Sequence, residues 1–176
     1  MKRHAESLIE ILKDRPHEVG CEVGVYKGIT TSSLLNSLNG INRYYVVDPW
    51  EDYKGYEKLG HDKTKWNKAV RQFFENTYDF KSKVIIMRMM SNEAVKHIKD
   101  ESLDWVFIDA NHKYEFIEEN INIWVPKVKV GGVVSGHDYK NPKEKKRGWG
   151  ITRAVKEMVP KEKLNTSPGM VWWFIK

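Results

Sequence analysis

Three aspartates, Asp48, Asp109 and Asp138, stand at the ends of apolar runs that are typical of buried β-strands. In an open α/β sheet, ligands bind beyond the carboxyl ends of the strands, so we expect these carboxylates to face one site. Asp109 and Asp138 follow strands that we expect to be neighbours, where together they could hold a divalent ion. Oxygen ligands suit Mg²⁺ or Mn²⁺, and the imidazole of His137 would favour Mn²⁺ or another transition metal. The sequence thus predicts a metal site at Asp109, His137 and Asp138; the alternative is that both aspartates only cap loops and helices.

His112 lies three residues after Asp109 and is a candidate catalytic base. The ordinary pKa of histidine is near neutrality, which suits proton abstraction from a hydroxyl held beside a metal. A single histidine is more often structural, but the company of Asp109 and the His137-Asp138 pair favours a catalytic role. We therefore predict that His112 and Asp109 are the catalytic residues.

A second group of residues, at the first predicted strand, is typical of a nucleotide-binding turn. The pattern Glu22-x-Gly24-x-x-x-Gly28 ends an apolar strand that begins at Val19, and glycine lets a ligand approach the backbone closely. The spacing is not the Gly-x-Gly-x-x-Gly of dinucleotide-binding proteins, and no Gly-Lys-Ser/Thr of a phosphate-binding loop follows. The four hydroxyl residues at positions 30–33 are candidate N-caps of the next helix.

Asp48 lies twenty residues after Gly28, a distance at which an acid commonly binds ribose hydroxyls. A site with a ribose-binding acid but no pyrophosphate-binding fingerprint fits S-adenosylmethionine. Glu22 would then face the amino-acid end of that cofactor, directly or through water. The alternative is an ordinary α/β protein with a tight turn. The predicted cofactor-binding residues are Glu22, Gly24, Tyr26, Gly28, Asp48, Pro49, Trp50, Met90, Ser91 and Asp109.

Two further segments would complete the site. Residues 49–63 read as an active-site loop, in which Trp50 or Tyr53 either covers the cofactor or substrate or packs the loop against the protein. Met90 and Ser91 follow the third predicted strand, at the sheet edge where an adenine ring would lie. We expect Ser91 to N-cap the next helix, and the backbone around Met90 and Ser91 could also bind the adenine.

Composition limits the class of protein. The chain has 176 residues, which suits one domain, 1–176, and a single cysteine, Cys21, which excludes an intrachain disulfide and favours the cytoplasm. It contains no apolar run of the ~18 residues that a membrane span needs. Residues 140–163 contain nine Lys and Arg against three Glu, so this segment carries all of the net charge of +6. Such a segment is usually a solvated surface, but it would also suit an anionic acceptor or a nucleic acid.

The order of the elements predicts the fold. An amphipathic helix over 3–14 precedes strands that alternate with helices, and the nearly all-apolar strand Leu103–Asp109 is typical of a parallel strand covered on both faces. Two short apolar segments around Ser167-Pro168-Gly169 predict a closing hairpin. We therefore predict an α/β fold with a doubly wound, mostly parallel seven-stranded sheet, a C-terminal antiparallel hairpin and three αβα layers.

These motifs resemble those of class I S-adenosylmethionine-dependent methyltransferases with a Rossmann-like fold. The resemblance covers residues 15–175 and rests on four segments. They are Glu22-x-Gly24-x-x-x-Gly28, Asp48-Pro49-Trp50, Phe107-Ile108-Asp109-x-x-His112-x-Tyr114 and Gly131-Gly132-x-x-x-Gly136-His137-Asp138-Tyr139. The most similar group contains macrocin O-methyltransferase-like and cephalosporin hydroxylase-like proteins.

The resemblance implies roles for the polar residues at the ends of the fourth and fifth predicted strands. In relatives of this family the first aspartate and a later acidic pair bind Mg²⁺, and the histidine after the first aspartate acts as base, which implies these roles for Asp109, Asp138 and His112. The sequence departs from the family where His137 replaces the first acid of the pair.

We accordingly expect a transferase that methylates a hydroxyl on a sugar or another small polar molecule, with S-adenosylmethionine as methyl donor and Mg²⁺ or Mn²⁺ assisting. One alternative is a nucleic-acid or nucleotide methyltransferase that uses the basic segment 140–163. The other is a non-catalytic module that binds S-adenosylmethionine. A small, anionic or sugar-containing acceptor is the expected partner, nucleic acid is less favoured, no membrane is expected, and an oligomer stays open.

Overall fold

The computed structural model describes residues 3–53, 55 and 62–176, so residues 54 and 56–61 of the predicted 49–63 loop lie outside the described part. The described residues form a seven-stranded sheet in the order β3-β2-β1-β4-β5-β7-β6. Its strands are β1 (Val19–Val23), β2 (Arg43–Val47), β3 (Val84–Met87), β4 (Leu103–Ile108), β5 (Val128–Gly136), β6 (Asn165–Ser167) and β7 (Val171–Ile175). The first five are parallel, whereas β7 runs antiparallel between β5 and β6. The predicted doubly wound sheet with a closing hairpin is confirmed.

Helices connect the strands. They are α1 (Arg3–Leu12), α2 (Ile29–Ser37), α3 (Lys63–Thr77), α4 (Ser91–Ala94), α5 (Tyr114–Trp124), α6 (Glu144–Arg147) and α7 (Ile151–Met158). The helix expected after Met90 and Ser91 is only the single turn α4, followed by a 3₁₀ turn at Val95–His97. None of the helices in the described part of the chain combines the length and the apolar character that a membrane span requires.

The sheet has a buried core on each face. Along β4, Val106 and Ile108 join the core under α4, α5 and α7, whereas Trp105 and Phe107 join the core under α1, α2 and α3. Successive side chains of a strand point to opposite faces, so a strand covered on both sides must be apolar throughout. This confirms the predicted three-layer arrangement.

The strand register brings the carboxyl ends of β1, β2, β4 and β5 together. Val23 pairs with Val47 on one side and with Ile108 on the other, and Ile108 pairs with Gly136. The residues that follow β1, β2, β4 and β5 therefore leave the sheet at one level. This edge contains all three of the aspartates that the sequence placed at strand ends.

Candidate active site

A cavity of about 440 Å³ opens at the carboxyl edge of β1, β2 and β4. Most of the predicted site residues line it: Glu22, Gly24, Tyr26, Asp48, Pro49, Met90, Ser91, Asp109, His112, His137 and Asp138. The structure therefore brings the predicted cofactor residues and the predicted catalytic and metal residues into one cavity. Gly28 and Trp50 are not among the lining residues.

Gly24 forms the turn that separates β1 from the cavity. Its φ of +92° is a conformation that residues with a side chain rarely adopt, and an added Cβ would lie 2.3 Å from the carbonyl oxygen of Asp109. Gly24 is thus required by its backbone conformation and by the close approach of the segment after β4.

Asp48 organises the same turn through its carboxylate. Its Oδ2 accepts hydrogen bonds from the amides of Val25 (2.9 Å) and Tyr26 (2.8 Å), and its Oδ1 accepts one from the amide of Trp50 (2.7 Å). Asp48 therefore fixes two loops at the cavity wall, in addition to the ribose contact that the sequence predicted for it.

The two aromatic residues of the 49–63 loop take different positions. Trp50 is 2% exposed, its indole N–H donates to the carbonyl of Tyr26, and its ring packs on Phe73 with 5.1 Å between ring centroids. Tyr53 lines the cavity and packs against Phe116. Of the two roles that the sequence left open, packing applies to Trp50, whereas Tyr53 is placed to cover a ligand.

Gly28 and the hydroxyl residues after it differ from the predicted helix start. Gly28, at φ +68°, is itself the N-cap of α2, and no side chain caps this helix. The predicted capping by residues 30–33 is wrong because α2 already begins at Ile29. The hydroxyl of Thr31 instead donates to Glu22, at 2.6 Å.

Glu22 is a buried acid at the floor of the cavity, 1% exposed. Burial raises its pKa to about 8, and the nearby charges of Asp109 and Asp48 act in the same direction. The hydroxyls of Thr31 and Tyr44, which donate to its Oε2, oppose this rise only in part. Glu22 is consequently protonated at pH 7 in the ligand-free protein.

Two aspartates and two histidines form a cluster on the opposite side of the cavity. His112 Nε2 lies 2.9 Å from Asp138 Oδ2 and 3.6 Å from Asp109 Oδ1. His137 Nδ1 lies 3.4 Å from Asp109 Oδ1 and 3.5 Å from Asp138 Oδ2. One ligand atom from each of Asp109, His137 and Asp138 lies within 4.8 Å of the other two, which suits a shared cation.

The cluster shifts the pKa of each of its members. Burial alone would lower the pKa of His112, but hydrogen bonding and the charges of Asp109 and Asp138 raise it to about 9. The pKa of His137 is raised for the same reason, against the opposing effect of burial. The pKa values of Asp109 and Asp138 are lowered by the two imidazoles although burial would raise them. Without a bound cation, His112 is therefore protonated at pH 7, unlike the near-neutral base that the sequence suggested.

The expected adenine end of the cavity contains Met90 and Ser91. Ser91 does not cap α4: this helix begins at Ser91, and Met90 is the N-cap residue, without a side-chain hydrogen bond. The Ser91 hydroxyl instead donates to Asn120 Oδ1 and accepts from the indole N–H of Trp124 at 2.8 Å. Asn120 is a site residue that the sequence reasoning missed, although an asparagine on the otherwise apolar face of α5 was a usable signal.

His4 is a second missed residue, and α1 places it in the cavity wall. It is 6% exposed, its Nε2 lies 3.0 Å from the hydroxyl of Thr30, and its ring contacts the ring of His137 at 4.3 Å between centroids. No local pattern marked it, because its position depends on how α1 packs on the sheet.

Trp149, in the basic segment 140–163, lies against the cluster of Asp109, His112, His137 and Asp138. Its ring stacks on that of His112 with 4.4 Å between centroids, and the guanidinium of Arg147 lies 5.1 Å from the Trp149 ring centroid. The amide of Gly150 donates to the carbonyl of His112 at 2.8 Å. Trp149 thus packs on one face of the His112 ring and fixes its position.

Comparison with known proteins agrees with this geometry. A methyltransferase-domain family model matches residues 21–139, which is more than half of the chain. The uncharacterized protein y4gI of Sinorhizobium fredii is 23% identical over 171 residues, and the match covers 90% of this chain. The chain spans only 17% of the length of that curated relative.

Two solved structures share the fold. The O-methyltransferase from Bacillus cereus in complex with SAH is 16% identical, with a TM-score of 0.68 over 98% of this chain and 80% of that chain. Cofactor-bound Rv0187 from MTB is 13% identical, with a TM-score of 0.67 over 98% of this chain and 78% of that chain. The likeness to macrocin O-methyltransferase-like proteins stays a prediction. With the family match over residues 21–139, the chain belongs to the methyltransferase-domain family, and the class I methyltransferase resemblance of its motifs is confirmed.

Proposed function

We propose that this protein is an S-adenosylmethionine-dependent O-methyltransferase that acts on a hydroxyl of a sugar or another small polar molecule. One observation carries the proposal: a single cavity contains both the Gly24 turn with Asp48 and the cluster of Asp109, His112, His137 and Asp138. Family membership and the fold shared with an SAH-bound O-methyltransferase support the same methyl donor.

The turn after β1 accounts for the donor. Gly24 allows close approach to the backbone, Asp48 lies beside it for the ribose, and Met90 and Ser91 lie where the adenine would bind. Glu22 lies beneath the turn, where a positively charged ligand would favour its ionised form.

The donor set of the cluster fits a divalent cation. Asp109 and Asp138 each offer a carboxylate oxygen and His137 offers Nδ1, all within 4.8 Å of one another. Two oxygens and an imidazole nitrogen suit Mn²⁺ or another transition metal better than Mg²⁺. A cation held there would neutralise both carboxylates and lower the pKa of an acceptor hydroxyl.

His112 is the residue placed to accept the acceptor's proton. It lies in the cavity wall between Asp109 and Asp138, and its ring is held by Trp149 on one face. In its neutral form it would take the hydroxyl proton while the acceptor oxygen bonds to the methyl carbon. The carbon–sulfur bond breaks as the carbon–oxygen bond forms, and its electron pair stays on the sulfur of the product thioether.

Two measurements test this function. Calorimetry with S-adenosylmethionine and with S-adenosylhomocysteine should show binding of both to the purified protein. A mass-spectrometric screen of hydroxylated sugars and small alcohols, with Mn²⁺ or Mg²⁺ added, should yield a product that is heavier by one methylene group. Binding without turnover on any acceptor would favour the non-catalytic module, and the absence of binding would refute the proposal.

A further inference from the structure

A second concave surface, here called the basic groove, lies on the C-terminal segment that carries the net charge of the chain. Its volume is about 620 Å³, and its charged lining residues are Lys140, Lys145, Arg153, Lys156, Glu144 and Glu157. Four cations against two acids leave an excess of two positive charges. Part of the basic segment therefore lines a groove that is large enough for a small ligand.

The two acids of the groove are already engaged. Glu144 accepts hydrogen bonds from the amide of Thr152 (2.7 Å) and from its hydroxyl, which closes the turn before α7. Glu157 accepts from the hydroxyl of Tyr114 (2.6 Å) and from Nε of Arg153 (3.0 Å). Both carboxylates are therefore occupied by hydrogen bonds within the protein. The lysines are the groups left to face an incoming ligand.

All four cations of the groove are exposed. The charge of Lys140 lies over the ring of Tyr139 and that of Arg153 over the ring of Tyr114, which leaves Lys145 and Lys156 for a ligand. Among the residues that the structure describes, no carboxylate lies within ion-pair distance of either ammonium group. An ammonium group is a strong hydrogen-bond donor with no acceptor capacity, so two of them along one groove favour an oxyanion.

The basic groove is joined to the catalytic cluster by two contacts. Asn141, which lines the groove, donates from Nδ2 to Asp138 Oδ1 at 2.5 Å. Trp149 also lines the groove, and its ring stacks on His112. One layer of side chains thus separates the groove from the cavity in which the hydroxyl would react.

We infer that the basic groove binds a phosphate, or a comparable multiply charged oxyanion group, of a small ligand through Lys145 and Lys156. This inference goes beyond the proposed function, because the groove is separate from the cavity in which the hydroxyl would react. The groove does not supply a stacking surface for a base, because His112 and Arg147 already lie against the Trp149 ring. A small phosphorylated alcohol therefore fits better than a nucleic-acid strand, which needs stacking platforms and a longer basic track.

The test is a titration of the ¹⁵N-labelled, metal-free protein with ribose 5-phosphate, followed through amide chemical shifts, with ribose as the uncharged control. Shifts are expected at Lys145, Trp149 and Lys156 with the phosphate and not with ribose. The double variant Lys145→Glu/Lys156→Glu should bind the phosphate about a hundredfold more weakly, since each of the two lost charge-assisted contacts weakens binding roughly tenfold.

The matched control is Lys161→Glu/Lys163→Glu, which reverses two exposed lysines of the same segment that do not line the groove. The control should bind ribose 5-phosphate as the parent protein does. An equal loss in both double variants, or shifts spread evenly over the segment, would show a non-specific surface and overturn the inference. A steeply salt-dependent affinity for a short single-stranded RNA that exceeds the affinity for ribose 5-phosphate would also overturn it, in favour of nucleic acid.

The proposed function is tested separately on the same samples. Calorimetry with S-adenosylmethionine does not depend on the basic groove, so both double variants should retain the parent affinity. Absence of cofactor binding would refute the proposed function, whereas intact cofactor binding without phosphate binding would refute only the oxyanion site in the basic groove.

Discussion

Replacing Glu22 by glutamine should change how the stability of the protein depends on pH. The side chain is 1% exposed, and its carboxyl accepts hydrogen bonds from the hydroxyls of Thr31 and Tyr44. Glutamine has nearly the same shape, and its carbonyl oxygen can accept the same two hydrogen bonds. The substitution therefore removes the ionisation of this group while the packing around it is kept.

The magnitude follows from the two pKa values of Glu22, which are 4.5 as the ordinary value and about 8 in the folded protein. Below pH 4.5 both the folded and unfolded chains keep the proton, so this group contributes no pH dependence. Between pH 4.5 and 8 the unfolded chain ionises while the folded protein stays protonated, and the stability falls by about 1.4 kcal/mol per pH unit. The total loss by pH 8 and above is about 5 kcal/mol, and Glu22→Gln should not show it.

Urea denaturation of both proteins from pH 5 to pH 9 measures this difference. The free energy of unfolding of Glu22→Gln, relative to the parent, should rise steadily across that range and level off above pH 8. The variant Thr31→Val removes a donor that stabilises the ionised carboxylate, so it should extend the pH-dependent loss to higher pH. A difference between Glu22→Gln and the parent that does not vary with pH would refute the conclusion that burial keeps Glu22 protonated.

Three further outcomes are expected. Asp48→Ala should weaken S-adenosylmethionine binding by about 2 kcal/mol in calorimetry. It should also lower the melting temperature, because three loop amides lose their hydrogen-bond acceptor. An unchanged affinity would exclude the ribose contact. Chelation should abolish methyl transfer and Mn²⁺ should restore it, whereas full activity after exhaustive chelation would show that Asp109 and Asp138 need no metal. His112→Ala should reduce turnover about 10²–10⁴-fold with cofactor affinity nearly intact. His97→Ala, at an exposed histidine, serves as the control. Equal turnover in the two variants would show that His112 is not the base.

The sheet and the strand ends could be predicted because their signals are local. The segment from Leu103 to Ile108, apolar except for Asp104, is typical of a strand covered on both faces, and an acid directly after it must lie at the carboxyl edge. Parallel strands share that edge, so Asp48, Asp109 and Asp138 could be placed together without knowledge of any long-range contact. The observed register confirms this placement.

The orientation of the aromatic residues could not be predicted in the same way. Trp50 follows the end of β2 and Trp149 follows α6, yet nothing local shows that Trp50 packs on Phe73 in the core whereas Trp149 stacks on His112. Each of these partners is distant in sequence from the tryptophan it contacts. His4 is a similar case, because only the packing of α1 against the sheet brings it to His137.

The replacement of an acid by His137 has a consequence that the sequence alone could not show. Three carboxylates at the ends of β4 and β5 would repel one another without a bound cation, and the fold would lose stability whenever the metal was absent. In this protein Asp109 and Asp138 instead face the imidazoles of His112 and His137. The nitrogen–oxygen distances between these carboxylates and imidazoles are 2.9–3.6 Å. Protonated imidazoles can balance the two carboxylates, so the cluster is compatible with both the metal-free and the metal-loaded protein. His137 can therefore stabilise the cluster in its protonated form, while its neutral form would offer a nitrogen ligand to the proposed cation.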